Sequence, residues 1–332
     1  MSVTLKDIAR KTNLSLGTVS NYINGRPIKE RNRLLIEQAI RDLNYSVNQL
    51  ARGLRTNRSS TIGIIMPSLD DPYAGKIASY LTCIFRKNNY AVIICDAPTV
   101  ETEADVIRFM INKQVEGVIS FPVSEERTDY AALEDYGIPC IFIDKAIKGL
   151  ENDVFLLNNR EISRKAIRLA IEKGHRRIGI LAGTDTLTAE ERLQGYLEAL
   201  NEADIPVCEK YVKRATYNDQ DLAISVAREL LSEESPPTAV FATNYFFTLG
   251  LVAVCNEMQL QIGKDLHIIG FDDIMLNELI RPKLCIVAQP MRDYAEQSSD
   301  LLLKIIRGEI KAPKKIHFCS GYIIEGESLG EI

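Results

Sequence analysis

LKDIARKTNLSLGTVSNYINGR, residues 5–26, sets apolar side chains at helical intervals, first Leu5, Ile8 and Ala9, then Val19, Tyr22 and Ile23. The turn Thr12-Asn13-Leu14 between the two runs is too short for anything but a sharp bend. Thr4, with Asp7 three residues on, suits a capping pair for the first helix, and Ser15 is placed to cap the second. Leu35, Ile36, Ala39, Ile40 and Leu43 continue the period into a third helix. Two short helices joined tightly, with a third to close the core, describe an all-α helix-turn-helix module.

Charge sets this module apart. Residues 1–58 hold 11 Lys/Arg against 4 Asp/Glu, net +7, whereas residues 59–332 hold 29 against 41, net −12. A polyanion such as DNA is drawn to the first part and repelled by the second. The whole-chain value of −5 hides the contrast.

From residue 60 the pattern changes to short apolar runs alternating with amphipathic stretches. IGIIMP (62–67), AVIICD (91–96), GVISF (117–121), CIFID (140–144) and VFLL (154–157) form one series. IGILAG (178–183), TAVFAT (238–243) and HIIGFDD (267–273) form a second. Ile- and Val-rich strands alternating with helices imply parallel sheets covered on both faces, here as two similar α/β lobes. The chain is expected to cross between lobes at Asn158–Arg160, again over Cys285–Met291, and a third time near Ser320, after a final helix at about 291–307 and within the strand-like segment 315–326. The expected divisions are a module at 1–45, a hinge helix and linker at 46–59, and a core at 60–332. Its N-lobe takes about 60–158 and 290–319, its C-lobe about 159–289 and 320–332.

Composition narrows the class. With 46% hydrophobic and 26% charged residues the chain reads as an ordinary globular protein. Lys6, Asp7, Arg10 and Lys11 interrupt any apolar leader, which predicts a cytoplasmic protein without a membrane segment. Seven scattered cysteines without CxxC spacing read as reduced core residues. His175, His267 and His317 show no HxxxH or HxxE spacing, so no metal is expected. No GxGxxG follows the first strand and no GxxxxGK[ST] occurs; no cofactor and no enzyme activity are expected.

At LKDIARKTNLSLGTVSNYING the chain resembles the lactose/galactose repressor (LacI/GalR) family of bacterial transcription regulators. The likeness runs on through AIRDLNYSVNQLARGLRTNRSSTIGIIMP to IGFDD and Gln289-Pro290. It implies a two-lobed, periplasmic-binding-protein-like (type I) core behind the helix-turn-helix. It also implies a homodimer on a pseudo-palindromic operator, with a small-molecule effector, a sugar or sugar derivative, held between the lobes.

By this resemblance Leu16, Gly17 and Asn21 read bases, while Thr4, Ser15, Thr18, Ser20 and Asn24 bond phosphates and position the module. Arg26, Lys29, Arg31 and Arg33 add to the field. The hinge, with Asn48, Ala51 and Arg52, is a short helical pattern containing Gly53, a residue that costs a helix about 1 kcal/mol relative to alanine. Order on DNA binding is the expectation, with Leu54 as a wedge in the minor groove. Two reader positions depart from the family, which commonly has Arg at 21 and a longer polar side chain at 17.

The resemblance further implies an effector pocket from Tyr73, Asn158, Arg192, Tyr217, Asn244, Asp272 and Gln289. The family usually carries Asp where this chain has Asn158 and Tyr245, so two anionic acceptors are missing. The open alternatives are an atypical sugar, a modified or anionic one, or no effector. A cytoplasmic ligand sensor and an α/β enzyme with a fused DNA module remain as rival classes. No segment for tetramer formation is expected after Ile332.

Overall fold

The computed structural model describes residues 3–23, 26–45, 58–126, 129–184, 186–216, 219–272 and 276–332. Contacts divide the chain into two compact units, Met1–Ser59 and Ser60–Ile332.

The first unit contains α1 (Leu5–Thr12), α2 (Leu16–Ile23) and α3 (Glu30–Asp42). Asn13 ends α1 in the left-handed conformation, φ 54°, a geometry that asparagine tolerates at a helix C-terminus. Ile8, Val19, Ile36 and Ala39 are buried together, with Leu14, Tyr22, Ile23 and Leu43 packed around them. Lys11 pairs with Asp42 at 2.8 Å, and the Tyr22 hydroxyl donates to Glu37 at 3.1 Å, tying α1 and α2 to α3. Leu35, which shares the helical period, is 43% exposed. The buried stripe runs through 36, 39, 40 and 43, and 35 lies off its edge.

The second unit holds two six-stranded sheets. The first is built from β1 (Thr61–Met66), β2 (Ala91–Asp96), β3 (Gly117–Ser120), β4 (Cys140–Ile143), β5 (Asp153–Leu157) and the late β11 (Ile316–Cys319). Its order is β11-β5-β4-β3-β1-β2, parallel throughout. The second sheet uses β6 (Ile178–Gly183), β7 (Val212–Ala215), β8 (Ala239–Ala242), β9 (His267–Phe271), β10 (Cys285–Ala288) and β12 (Tyr322–Ile324). The order β12-β10-β9-β8-β6-β7 repeats the first, with one antiparallel pair, β12 on β10. Both faces of each sheet are covered, giving two apolar clusters per lobe.

Among the described residues eight helices flank the sheets: α4 (Pro72–Lys87), α5 (Val100–Asn112), α6 (Ala131–Asp135), α7 (Asn159–Glu172), α8 (Leu187–Glu202), α9 (Gln220–Leu231), α10 (Tyr245–Glu257) and α12 (Met291–Ile306), with the short α11 (Leu276–Leu279) after β9. Local sequence sets their starts. Asp71 accepts from the N–H groups of Tyr73 and Ala74 ahead of Pro72, and Thr186, Asp219 and Asn244 cap α8, α9 and α10. Gly195 lets α7 and α8 approach closely, since a Cβ there would lie 2.3 Å from the Arg160 carbonyl oxygen. Among the described residues no helix is long and apolar enough to cross a membrane.

Two expectations need correction. CIVA, expected within the second crossing, is the buried strand β10, so that crossing narrows to Gln289-Pro290. VKRA, unassigned from sequence, is β7, an edge strand whose Lys213 and Arg214 break the apolar run that marks the central strands.

The three crossings, after β5, β10 and β11, meet at Gly321. A Cβ there would lie 3.1 Å from Leu157 Cδ1, 3.2 Å from Ala288 O and 3.3 Å from Ile162 Cγ1. Asn158 fastens the same place, since its N–H donates to Cys319 O at 3.1 Å and its Oδ1 accepts from Gly321 N at 3.0 Å.

Candidate functional site: the second helix and the interlobe cleft

The first candidate is the uncovered face of α2. Burying Val19 turns the other side of the helix outward, leaving Leu16 45% exposed with Gly17 and Ser15 beside it, and Thr18, Ser20 and Asn21 half-buried. Ser15 Oγ accepts from Thr18 N at 3.1 Å and lies 2.9 Å from Thr18 Oγ1. The Asp7 carboxylate takes both the N–H and the hydroxyl of Thr4, at 2.9 and 2.7 Å, and this bonding lowers its pKa. Capping at both helix starts thus agrees with the sequence reading. Asn24, the hinge residues Asn48, Ala51 and Arg52, and Leu54 lie outside the described residues.

The cations divide into two sets. Arg33 is held by Glu30 and Glu37, and Lys11 by Asp42. Lys6, Arg26, Lys29 and Arg31 are exposed and form no ion pair among the described residues. Exposed, unpaired cations are the ones that attract phosphate.

The second candidate is a cavity of about 480 Å³ lined by both lobes at the strand ends. Ligands of open α/β sheets bind beyond the carboxyl ends of the strands, and a cavity of this size suits one small molecule. Five expected residues line it: Tyr73, Arg192, Asn244, Asp272 and Gln289. Tyr217 lies outside the described residues. Asn158 is not part of the lining; it borders a neighbouring cavity, where its side chain bonds Gly321 and Glu161.

Arg192, 3% exposed, is fixed on three sides. Nε donates to Asn159 Oδ1 at 2.8 Å, a terminal nitrogen donates to Thr243 O at 2.6 Å, and the guanidinium stacks 3.8 Å over the Phe271 ring. The second terminal nitrogen has no bond among the described residues. Asp272, 6% exposed, accepts from Gln289 Nε2 at 2.8 Å. Burial raises its pKa to about 6, against the pull of Arg192 and Gln289.

Some polar atoms are left without partners. Among the described residues Gln289 Oε1 and Thr184 Oγ1 are buried with no hydrogen bond, and both residues line the cavity. Such atoms carry a desolvation cost of about 1–3 kcal/mol each until a ligand meets them. Asn244 Oδ1 is already in use, accepting from Phe247 N at 2.8 Å.

Sequence reasoning missed Asp144, Asp71, Lys145 and Glu125. Asp144 had a signal: an aspartate directly after the apolar run CIFI, as Asp272 follows IIGF. The two occupy matching places, each after the third strand from the β2 or β7 edge's opposite end, β4 and β9. Both have left-handed backbones, φ 75° and 68°, and each donates its N–H to the neighbouring strand at 2.9 Å, to Phe155 O and Val287 O. A non-glycine residue held so costs about 1–2 kcal/mol. Tyr245 lines the cavity, and its ring meets Phe246 edge-on at 5.4 Å.

The lobes also touch across the cavity mouth. Thr188 Oγ1 donates to Asp144 O at 3.1 Å, and Leu187 N donates to the Glu125 carboxylate at 2.7 Å. Elsewhere His175 and His267, remote in sequence, meet edge-on with ring centroids 4.5 Å apart. Among the described residues no cluster of three or more His, Cys, Asp or Glu could hold a metal.

Comparison with known proteins adds the following. The model of bacterial regulatory proteins of the lacI family matches residues 4–48, and that of a periplasmic binding protein-like domain matches residues 167–329. The chain is 32% identical to the probable HTH-type transcriptional regulator EndR of Paenibacillus polymyxa, over 92% of this chain and 91% of that one. It is 29% identical to catabolite control protein A of Priestia megaterium, over 96% and 98%. Among solved structures, the lac repressor dimer bound to operator and the anti-inducer ONPF superposes with a TM-score of 0.85 at 22% identity, covering 99% of this chain and 100% of that one. The CelR–cellobiose complex gives 0.74 at 24%, over 98% and 99%.

Proposed function

The chain belongs to the lacI family of bacterial regulatory proteins, and on that premise we propose that it is a repressor that binds a pseudo-palindromic operator as a homodimer under the control of a sugar-type effector. As a family member it is a DNA-binding transcriptional regulator and not an enzyme. The observation that carries the finer reading is the presence in one chain of a helix-turn-helix whose second helix keeps an uncovered face and a cleft lined by both lobes of the core.

In this reading Leu16, Gly17 and Asn21 face base edges; Thr4, Ser15, Thr18 and Ser20 meet phosphates, with Asn24 beside them. Leu16 suits a thymine methyl and Asn21 an adenine edge. Residues 46–59 form the hinge, with Asn48, Ala51 and Arg52 in it and Leu54 as the wedge. Tyr73, Arg192, Asn244, Asp272 and Gln289 hold the effector. Asn158 moves from the pocket to the crossing, where it joins two of the segments that connect the lobes.

Support also comes from relatives: one superposing structure is a dimer on operator, and another holds cellobiose. A ligand that prefers one degree of lobe closure shifts the population competent for DNA. The test is selection of bound genomic DNA by the purified protein, followed by operator titration across salt and with metabolites of the neighbouring genes. A salt-dependent, sequence-specific site whose affinity changes with one such metabolite is expected. Binding without sequence preference would remove the regulator reading at its root.

A further inference from the structure

The charged groups of the cleft are unevenly engaged. Among the described residues five carboxylates line it, Asp71, Glu125, Glu126, Asp144 and Asp272, against three cations, Lys145, Lys148 and Arg192. The cations have partners: Lys145 donates to Pro122 O and Val123 O at 3.0 and 3.3 Å, Lys148 pairs with Glu126 at 2.6 Å, and Arg192 is held as described above.

The acceptors are what remains open. Among the described residues the Asp144 carboxylate takes part in no hydrogen bond or ion pair, and Asp272 receives only Gln289 on one oxygen. Gln289 itself is 5% exposed, and since its NH2 group faces Asp272, its Oε1 is left buried without a donor. Asp71 and Asp144 both add to the burial that disfavours the charged form of Asp272, and Asp144 does the same to Asp71. Asp144 and Asp272 come from opposite lobes at matching strand ends, so a ligand between them meets one carboxylate from each side.

We propose that the effector carries an ammonium group on a hydroxyl-bearing skeleton, an amino sugar or aminopolyol, gripped between Asp144 and Asp272, and that phosphorylated or carboxylated analogues are rejected. This rests on the reading of the cleft as the effector site. A cation between the two carboxylates removes the repulsion that opposes closing the lobes, and its N–H groups, with hydroxyl donors toward Gln289 Oε1, satisfy the open acceptors. A phosphate would instead add negative charge beside these carboxylates, with only one terminal nitrogen of Arg192 left open to meet it among the described cations.

The experiment is calorimetric titration of the full-length protein with matched triples in three configurations: glucose, galactose and mannose; their 2-amino forms; and their 6-phosphates. Expected is at least one triple in which the amine member binds about tenfold or more tightly than the neutral one, the effect of one charge-assisted contact, with the phosphate weakest. D144N should abolish the preference of the amine over the neutral sugar, and its thermal unfolding curve establishes that the variant is folded. If the 6-phosphate is tightest, or amine and neutral members bind equally in every triple, the charge assignment is overturned while the cleft remains an effector site. If no member binds while operator binding persists, both the assignment and the reading of this cleft as a sugar site fall.

Discussion

Asn158 accepts a hydrogen bond from the backbone N–H of Gly321 at 3.0 Å, joining the first interlobe crossing to the third. Expected in the effector pocket, it lies instead where the three crossings come together, bonded to Gly321, whose own neighbours are Leu157 and Ala288.

Asn158→Ala is therefore expected to lower the unfolding free energy of the core by about 1 kcal/mol, the worth of one part-buried hydrogen bond. It should alter the factor by which effector changes operator affinity more than effector affinity itself. Urea denaturation and operator titrations with and without effector measure the two quantities. A collapse of effector affinity at unchanged stability would return Asn158 to the pocket.

In the small helical unit, burial separates scaffold from reader. Ile36→Ala, at a fully buried position, should cost about 2–5 kcal/mol and unfold the module. Leu16→Ala, on the exposed face of α2, should change stability by less than about 0.5 kcal/mol. It should nonetheless weaken operator binding, with the loss concentrated at one base pair of each half-site. Melting curves and binding to a set of single-base operator variants distinguish the two effects.

Arg192→Lys keeps the charge but loses the fork that reaches Asn159 and Thr243 together, and the flat contact with Phe271. Effector affinity is expected to fall tenfold or more, about 1.4 kcal/mol, while operator binding without effector persists. Unaltered effector affinity would mean that this guanidinium is a brace of the C-lobe alone.

The pH dependence of stability contains two opposed contributions. Burial holds Asp272 at about 6, above the ordinary carboxylate value, so between about pH 4 and 6 the folded protein binds the extra proton. The cost of the buried charge is full above pH 6 and is relieved as pH falls, a gain of about 3 kcal/mol. His175 runs the other way. Burial beside His267 lowers it to about 4, so the unfolded chain takes the proton first and stability is lost as pH falls below 6.5. Asp272→Asn should remove the compensating gain, so that denaturant midpoints drop more steeply from pH 6.5 to 4.5 than in the parent protein; parallel profiles would exclude the raised Asp272.

Much of this was legible from residue order. The helical period of 5–26 and the charge contrast marked the module, because a three-helix core needs its apolar residues at fixed local intervals. Central strands such as IGILAG could be read because both of their faces are buried and no polar residue interrupts them. The edge strand VKRA could not, since half-exposed strands tolerate Lys and Arg. Tyr73, Arg192, Asn244, Asp272 and Gln289 were found through family resemblance, and Asp144 was passed over although it follows its strand as Asp272 does.

The sequence by itself determined the three helices of the module with the caps at Thr4 and Ser15, the central strands, the division into a basic module and an acidic core, and the repetition of the lobe pattern, features written in local residue order and composition. Only the tertiary structure decided that Asn158 belongs with Gly321, that His175 lies against His267, and that Asp144 and Asp272 line the same cavity. These pairs are separated by about ninety to more than one hundred sixty positions in the chain. Their meeting follows from three chain crossings and from the burial of two sheets, and long-range packing of that kind leaves no local period to read.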